Sequence, residues 1–323
     1  MRVLVTGGAG FIGSNLVEWL LRDERITYVR VLDNLSTGSV ANIEEFHSFS
    51  QLEFVQGDIR DYSLCRQVCD GIDLISHQAA LGSVPRSIDD PLTTNEVNIT
   101  GTLNIFMAAK EKKIKRIIYA ASSSTYGDHP GLPKREDQIG KPLSPYAVTK
   151  YVNELYADVM ARLYNLEFIG LRYFNVFGPK QNPKGPYAAV VPLFIEALLN
   201  DKSPVINGDG KQSRDFTYVN NAVQANVLSL FTNNKGAVNQ VYNIAYGKQT
   251  SLLQLAEYLK RISGSKVEPI YAPERNGDIK HSLADISRAQ KFLGYDPQVS
   301  VEEGLKKTFE WYKEKLNVVE QRS

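Results

Sequence analysis

The chain has 323 residues, 43% of them hydrophobic and 23% charged, with a formal net charge of +1 at pH 7. That length buries a sizeable core without disulfides or metals, and the near-zero charge gives no bulk case for a nucleic-acid or anionic-membrane partner. No apolar run approaches the roughly 20 residues of a membrane span, and MRVLVTGGAG enters a strand at once, without signal-peptide anatomy; a cytoplasmic protein is expected.

In chain order, MRVLVTG reads as a strand, and FIGSNLVEWLLRD as a helix with Phe11, Leu16, Trp19 and Leu20 at helical spacing. YVRVLDN (28–34) is predicted as the second strand and LEFVQGDI as the third, followed by a helix at SLCRQVCDG. Cys65 and Cys69 fall in that helix. Two thiols without nearby His or Cys partners make a poor zinc site, so no metal is expected, and the pair reads as small residues on one helical face in a reducing compartment. IDLISHQAA is a fourth strand, TTNEVNITGTLNIFMAAKEKK a long helix, and IKRIIYAASS a fifth strand. A helix then runs from Tyr146 to about Leu163, before a sixth strand at LEFIGLRYFNVFG. Strands alternating with helices predict an α/β fold, a doubly wound parallel sheet covered on both faces.

After Gly178 the rhythm changes. PKQNPKGPY reads as a loop, VPLFIEALLN as a helix and PVINGDGKQSRDFTYV as turn-rich strand. NNAVQANVLSLF is predicted helical, QVYNIAYG a strand, and SLLQLAEYLKRIS, ISRAQKFLG and the stretch from Val301 to about Leu316 helices. This is a smaller C-terminal α/β lobe.

TGGAGFIG (6–13) lies between the first strand and the first helix, with Gly7, Gly10 and Gly13 spaced GxxGxxG. Glycines there permit a tight turn, and the helix N-terminus offers free N–H groups to a pyrophosphate. Asp33 ends the second strand 20 residues after Gly13. A carboxylate in that place accepts ribose hydroxyls and repels a 2′-phosphate, which favours NAD over NADP. Asp58, at the end of the third strand, is placed to bond the adenine amino group.

SPYAVTKYVNELYA (144–157) sets Tyr146 and Lys150 one helical turn apart, soon after the strand end SSSTYGD. A neighbouring ammonium favours the phenolate, so Tyr146 is expected to act as a base near neutral pH, with Lys150 lowering its pKa and holding the cofactor ribose.

Together TGGAGFIG, SSSTYG and Tyr146-Ala-Val-Thr-Lys150 resemble the extended short-chain dehydrogenase/reductase family, and within it the NAD-dependent nucleotide-sugar epimerases, over nearly the whole chain. The resemblance implies a Rossmann-type domain over residues 1–178, with segments near 216–246 returning to it, and a mainly nucleotide-sugar-binding lobe over 179–323. The catalytic Ser/Thr falls on Ser122 when counted back from Tyr126-Gly127 and on Ser124 when counted back from Tyr146. Cofactor contacts are implied for Gly7, Gly10, Phe11, Ile12, Gly13, Asp33, Asn34, Asp58 and Ile59. Gln78, Ala79 and Ala80 match the family's His-x-Ala-Ala segment with Gln for His, and Tyr146, Lys150 and Tyr173 complete the cofactor side. Relatives hold the sugar nucleotide at positions matching Gly82, Ser83, Ser123, Asn175, Arg214, Arg275, Asp278, His281 and Ser282.

Related 4,6-dehydratases carry an Asp-Glu pair where this chain has Ser123 and Ser124, so no carboxylate is available there for elimination. AALGSVPRS resembles UDP-N-acetylglucosamine 4-epimerases, and Ser282 stands where epimerases restricted to the plain sugars carry a bulky residue. The expected substrates are therefore UDP-GlcNAc and UDP-GalNAc, with plain and uronic UDP-sugars as alternatives. An idle NAD-binding sensor would have lost the Tyr-Lys pair, which this chain keeps. Relatives dimerise through two helices per subunit, which would be 95–112 and 146–163 here, so a homodimer is expected.

Overall fold

The computed structural model describes residues 1–183, 188–274 and 280–320. Strands Arg2–Thr6 (β1), Tyr28–Asp33 (β2), Leu52–Gln56 (β3), Leu74–His77 (β4), Arg116–Ser122 (β5) and Glu167–Tyr173 (β6) join Gln240–Ile244 in one seven-stranded sheet. Every pairing in it is parallel, and the order runs Gln240–Ile244, β6, β5, β4, β1, β2, β3. The order reverses at β1, where β2 and β4 flank it on opposite sides. That switch point opens a crevice at the carboxyl ends of the strands.

Alternation along each strand splits the core in two. Val3 and Val5 of β1 enter one apolar cluster and Leu4 the other; Ile169 and Leu171 of β6 part from Phe168 in the same way. Both faces are thus covered, which is why these strands read as continuous apolar runs. Phe11–Leu21 (α1) packs into the first cluster, which also takes in the helix Val219–Phe231. Tyr62–Val68 (α2) and Thr102–Glu111 pack into the second, with both free cysteines wholly buried there.

The expected long helix over 93–113 is interrupted. Val84–Asp89 (α3) and Pro91–Asn95 (α4) lead into a π-helical turn at Glu96–Gly101 before Thr102–Glu111 (α5) resumes. Wide turns of this kind cluster at functional sites. Pro145–Tyr164 (α6) begins on a Ser144 cap, whose Oγ accepts from Ala147 N at 3.1 Å, with Pro145 at the first position. It ends on Asn165 in the left-handed region, φ 54°.

The sixth strand is also shorter than expected. It stops at Tyr173, and Val176–Phe177 pairs separately with Thr217–Tyr218, because Asn175 turns the chain at φ 36°. Beyond it, Val205–Asn207 pairs in parallel with Ile270–Ala272, a strand that EPIYAPE hid between two prolines. Helices Val190–Leu199, Leu252–Ser263, Ser287–Leu293 and Val301–Glu320 surround this region. Among the described residues no helix is long and apolar enough to cross a membrane.

Candidate active site

A cleft of about 660 Å³ lies at the strand ends around the switch point. Gly7, Gly10, Phe11, Ile12 and Gly13 form one wall of it. Two of these glycines have no substitute. Gly7 holds φ +70°, and a Cβ on it would sit 2.7 Å from Ala79 N; a Cβ on Gly13 would meet Gly7 O at 2.1 Å. No side chain caps α1, so its first-turn amides have no side-chain partner beside the cleft.

Asp33 and Asn34 line the same cleft. The Asp33 carboxylate accepts from Ala9 N at 3.0 Å and Leu35 N at 2.8 Å, tying the strand end to the glycine turn. Burial pushes its pKa up, against these backbone donors. Ile59 is in the wall. Asp58 stands just behind it, taking Asn34 Nδ2 at 2.8 Å and pairing with Arg60, which brings its carboxyl down to about 2.

Gln78, Ala79 and Ala80 continue the wall after β4, facing Tyr173 at the end of β6. Tyr173 Oη donates to Gln78 Oε1 at 3.1 Å and accepts from Asn226 Nδ2 at 2.7 Å, while Gln78 Nε2 donates to Asn226 Oδ1 at 3.0 Å. An amide supplies both donor and acceptor in this closed network; the histidine of the family segment is present as His77, so the expected exchange of Gln for His at 78 is corrected.

Ser122, Tyr146 and Lys150 meet in the cleft. Ser122 lines the cleft beside Tyr146, and its hydroxyl acts to lower the phenol pKa. It also accepts from Ser124 N at 3.1 Å and Ser124 Oγ at 2.9 Å, so of the two candidate serines Ser122 faces the tyrosine and Ser124 backs it. Lys150 Nζ donates to Ala120 O at 2.8 Å and lies 6.0 Å from the Tyr146 ring centre.

The expectation that Lys150 lowers the Tyr146 pKa is corrected. Burial dominates and raises the phenol pKa, opposed only by the Ser122 hydroxyl, while burial pulls Lys150 down to about 8 with the Glu154 charge acting upward. A fully buried site disfavours both charged forms.

The substrate-side residues separate. Gly82 and Asn175 are in the cleft wall. Ser83 is not in the described wall: its Oγ caps α3, accepting from Arg86 N at 3.2 Å. Ser123 is half-buried in the turn after β5. Arg214, His281 and Ser282 cluster with one another and are not in the described wall. Arg214 Nη1 donates to Ser213 O and Lys280 O, His281 Nδ1 meets Ser213 Oγ at 2.9 Å, and Ser282 N donates to Ser213 O at 3.0 Å. Arg275 and Asp278 lie outside the described residues.

The NAD dependent epimerase/dehydratase family matches residues 3–245. A putative UDP-glucose 4-epimerase of Methanocaldococcus jannaschii is 40% identical, over 96% of this chain and 98% of that protein. A UDP-glucuronate 4-epimerase of Thermodesulfobacterium geofontis is 35% identical over 98% of this chain and 97% of its own length. Among solved structures, the UDP-N-acetylglucosamine 4-epimerase of Methanobrevibacter ruminantium M1, in complex with UDP-N-acetylmuramic acid, superposes with a TM-score of 0.92 at 41% identity, covering 97% of this chain and 98% of that one. The chain belongs to the NAD-dependent epimerase/dehydratase family.

The glycine turn and Asp33 fit the family's cofactor. Uncapped amides suit a pyrophosphate, and a buried strand-end carboxylate suits the two ribose hydroxyls. Within this epimerase/dehydratase fold the cleft carries one acidic residue in its described wall, Asp33. Positions 123 and 124 are serines, not the Asp-Glu pair expected of the 4,6-dehydratases.

Sequence reasoning missed several residues of the cleft region, among them Ser36, Thr37, Arg86 and Gln181 in the wall and Asn98 beside it. Asn98, on the π-helical turn, clamps the wall segment: its Oδ1 accepts from Leu81 N at 2.8 Å and its Nδ2 donates to Leu81 O at 3.1 Å. Arg86 of α3 lines the cleft. A polar Asn inside the apolar periodicity of TTNEVNITG was the available signal for Asn98; Arg86 had none.

Proposed function

We propose that this chain, an isomerase of the NAD-dependent UDP-sugar 4-epimerase class, interconverts UDP-GlcNAc and UDP-GalNAc through a transient 4-keto sugar. The supporting observation is at Gly82. It lines the cleft, yet a Cβ built on it meets nothing within 4 Å, which leaves room beside the wall for a 2-acetamido group. Ser282, small and half-buried, adds no bulk.

Bound NAD supplies reversible two-electron oxidation at C4. Tyr146 Oη takes the proton of the 4-hydroxyl and later returns it, acting as general base and then acid. Ser122, beside Tyr146, shares that proton. Lys150, fixed on Ala120 O, presents its ammonium to the ribose side. Burial raises the Tyr146 pKa and the Ser122 hydroxyl opposes it, so the phenol would start from its protonated form. The 4-keto sugar turns about its diphosphate link and is reduced on its other face. Arg214, with His281 and Asn175, serves the diphosphate end.

A second reading, a UDP-uronic acid substrate, is favoured by Arg86, whose cation in the cleft wall suits a carboxylate. The chain acts as a homodimer in this proposal. Along α6, Leu155, Val159 and Leu163 form an outward stripe, 49%, 42% and 67% exposed, while Ala157, Met160 and Ala161 face the core. A continuous apolar helix face of this kind suits a second copy.

The deciding experiment follows the sugar H1 signals by NMR when purified protein meets UDP-GlcNAc without added NAD. UDP-GalNAc should form. Turnover of UDP-glucose or UDP-glucuronate alone would keep the mechanism and overturn the acetamido reading. Ser282→Tyr should abolish acetamido turnover and spare UDP-galactose.

A further inference from the structure

A second cavity shares a wall segment with the cleft. It lies between α1 and the helices Val219–Phe231 and Val301–Glu320, with Pro179 and Lys180 in its wall. The next two residues, Gln181 and Asn182, are in the wall of the cleft. The backbone leading there is sharply bent. Asn175 stands at φ 36°, Gly178 at 157° and Lys180 at 69°. The left-handed region suits glycine, and a lysine stays in it only where its surroundings over-determine it.

Those surroundings are on the page. The Lys180 side chain is 7% exposed, and its Nζ donates to Glu18 Oε2 of α1 at 3.0 Å. The same ammonium lies 3.7 Å from Glu45 Oε1 and 5.1 Å from the centre of the buried Phe46 ring, both in the short helical turn Glu44–Phe46. Asn15, one turn before Glu18 on α1, donates from Nδ2 to Pro179 O at 3.1 Å. Tyr312 Oη donates to Gln181 O. α1 itself starts with Phe11 and Ile12 in the cofactor wall. The contacts therefore join the helix that serves the cofactor to the segment that follows Asn175.

We propose that Lys180 is a positioning residue for the sugar nucleotide: clasped by Glu18 and Glu45, it holds Gln181 and Asn182 in the cleft wall at a fixed place relative to α1. This rests on the epimerase reading above. The ammonium is enclosed, so solvent and salt screen it less than an exposed pair. It links residues 162 positions apart, so it acts on tertiary placement rather than on either local element. Arg22 cannot replace it. Arg22 Nη2 meets the other oxygen of Glu18 at 3.0 Å, but it is on the same helix one turn on, and a bond within one turn ties no second segment. The cofactor wall does not depend on the clasp. Gly10 N donates to Gly7 O and Ala9 N to Asp33 Oδ2, which fix that side within β1, β2 and the turn between them.

The test compares Lys180→Met, Lys180→Arg, Lys180→Gly and Glu18→Gln with the unaltered holoenzyme. Bound NAD is quantified, Kd for UDP is read by calorimetry, and kcat and KM for the UDP-sugar come from the NMR assay. Lys180→Met should raise both Kd and KM about tenfold while kcat and bound NAD hold. Lys180→Arg keeps the charge and should bring both back to within about twofold of the unaltered enzyme. Lys180→Gly separates the clasp from the turn. Glycine adopts φ 69° freely, so this variant should fold at least as well as Lys180→Met and still bind UDP as weakly. Glycine that restores the affinity would mean residue 180 serves the backbone turn alone, and that result overturns the proposal. An unmoved Kd in Lys180→Met overturns it too. Glu18→Gln should weaken binding by itself and add little to Lys180→Met; full additivity overturns the clasp. Should Lys180→Met fail to fold, Lys180→Gly and Glu18→Gln decide, and an unmoved Kd in both overturns the proposal. An unaltered enzyme that turns over no UDP-sugar fails the functional reading, while the Kd series still judges Lys180; turnover with an unmoved Kd series fails the positioning role alone.

Discussion

The two sides of the cleft are built differently. On the cofactor side, Gly7, Gly13 and Asp33 lie within 33 residues of the N-terminus, and two strands, one turn and one helix are enough to place them. On the substrate side, Asn175, Arg214 and Ser282 come from segments far apart in the chain. They reach each other only through long-range links such as Asn175 Nδ2 to Asp215 O at 3.3 Å and Ser282 N to Ser213 O at 3.0 Å. Local motifs keep their meaning under substitution elsewhere. A site assembled from distant segments changes its specificity whenever one of those links moves.

The largest effect should come from the chemistry the two sides share. Tyr146→Phe removes the proton acceptor and should cut kcat by about 10²–10⁴-fold while leaving bound NAD unchanged, as read by single-turnover assay and by absorbance of the released cofactor. Loss of NAD along with activity would mean the phenol serves binding rather than proton transfer.

Breaking the cofactor side should cost less rate but more affinity. Gly13→Ala drives a Cβ to 2.1 Å from Gly7 O, which is backbone and cannot step aside. Overpacking of this kind costs about 1–3 kcal/mol. The variant should melt earlier and lose its cofactor on gel filtration, whereas kcat with saturating NAD should recover in part.

A pH-dependent effect concerns the hub of the substrate side. Asp215 is fully buried and accepts from Tyr246 N, Gly247 N and Ala284 N, each at 3.1 Å. Burial pushes its carboxyl up to about 7 despite these donors. The folded state therefore holds the proton more tightly than the unfolded chain does. The stabilising contribution is complete below about pH 4 and is lost as pH rises through about 7. Asp215→Asn removes this slope. The stability gap between the two proteins should narrow by a few kcal/mol, up to about 4, from pH 4 to pH 8 in denaturant titrations. A gap that widened with pH would mean the carboxylate is ionised and held by its amide donors.

Much of the fold was legible because its signals are local. The glycine turn and the α6 start at Ser144-Pro145 are read from adjacent residues, and the apolar strands from their composition. The interruption at Glu96–Gly101 was not legible. TTNEVNITG carries helical periodicity, and the wider turn follows from Asn98 reaching across to Leu81, a contact 17 residues away. Position 83 was not legible for a similar reason: a serine before Val-Pro-Arg is equally a cap and a pocket residue, and the structure shows its Oγ capping α3.

The sequence by itself determined the parallel sheet, the dinucleotide turn and the Tyr146–Lys150 pair, since each depends on residues within one or two turns or strands of each other. Only the tertiary structure showed Ser122 lining the cleft with Tyr146 and Ser124 bonded behind it. Only the tertiary structure enclosed Lys150. Burial sets the charge of such a group, and burial is a property of everything packed around a residue, which spacing along a chain does not encode.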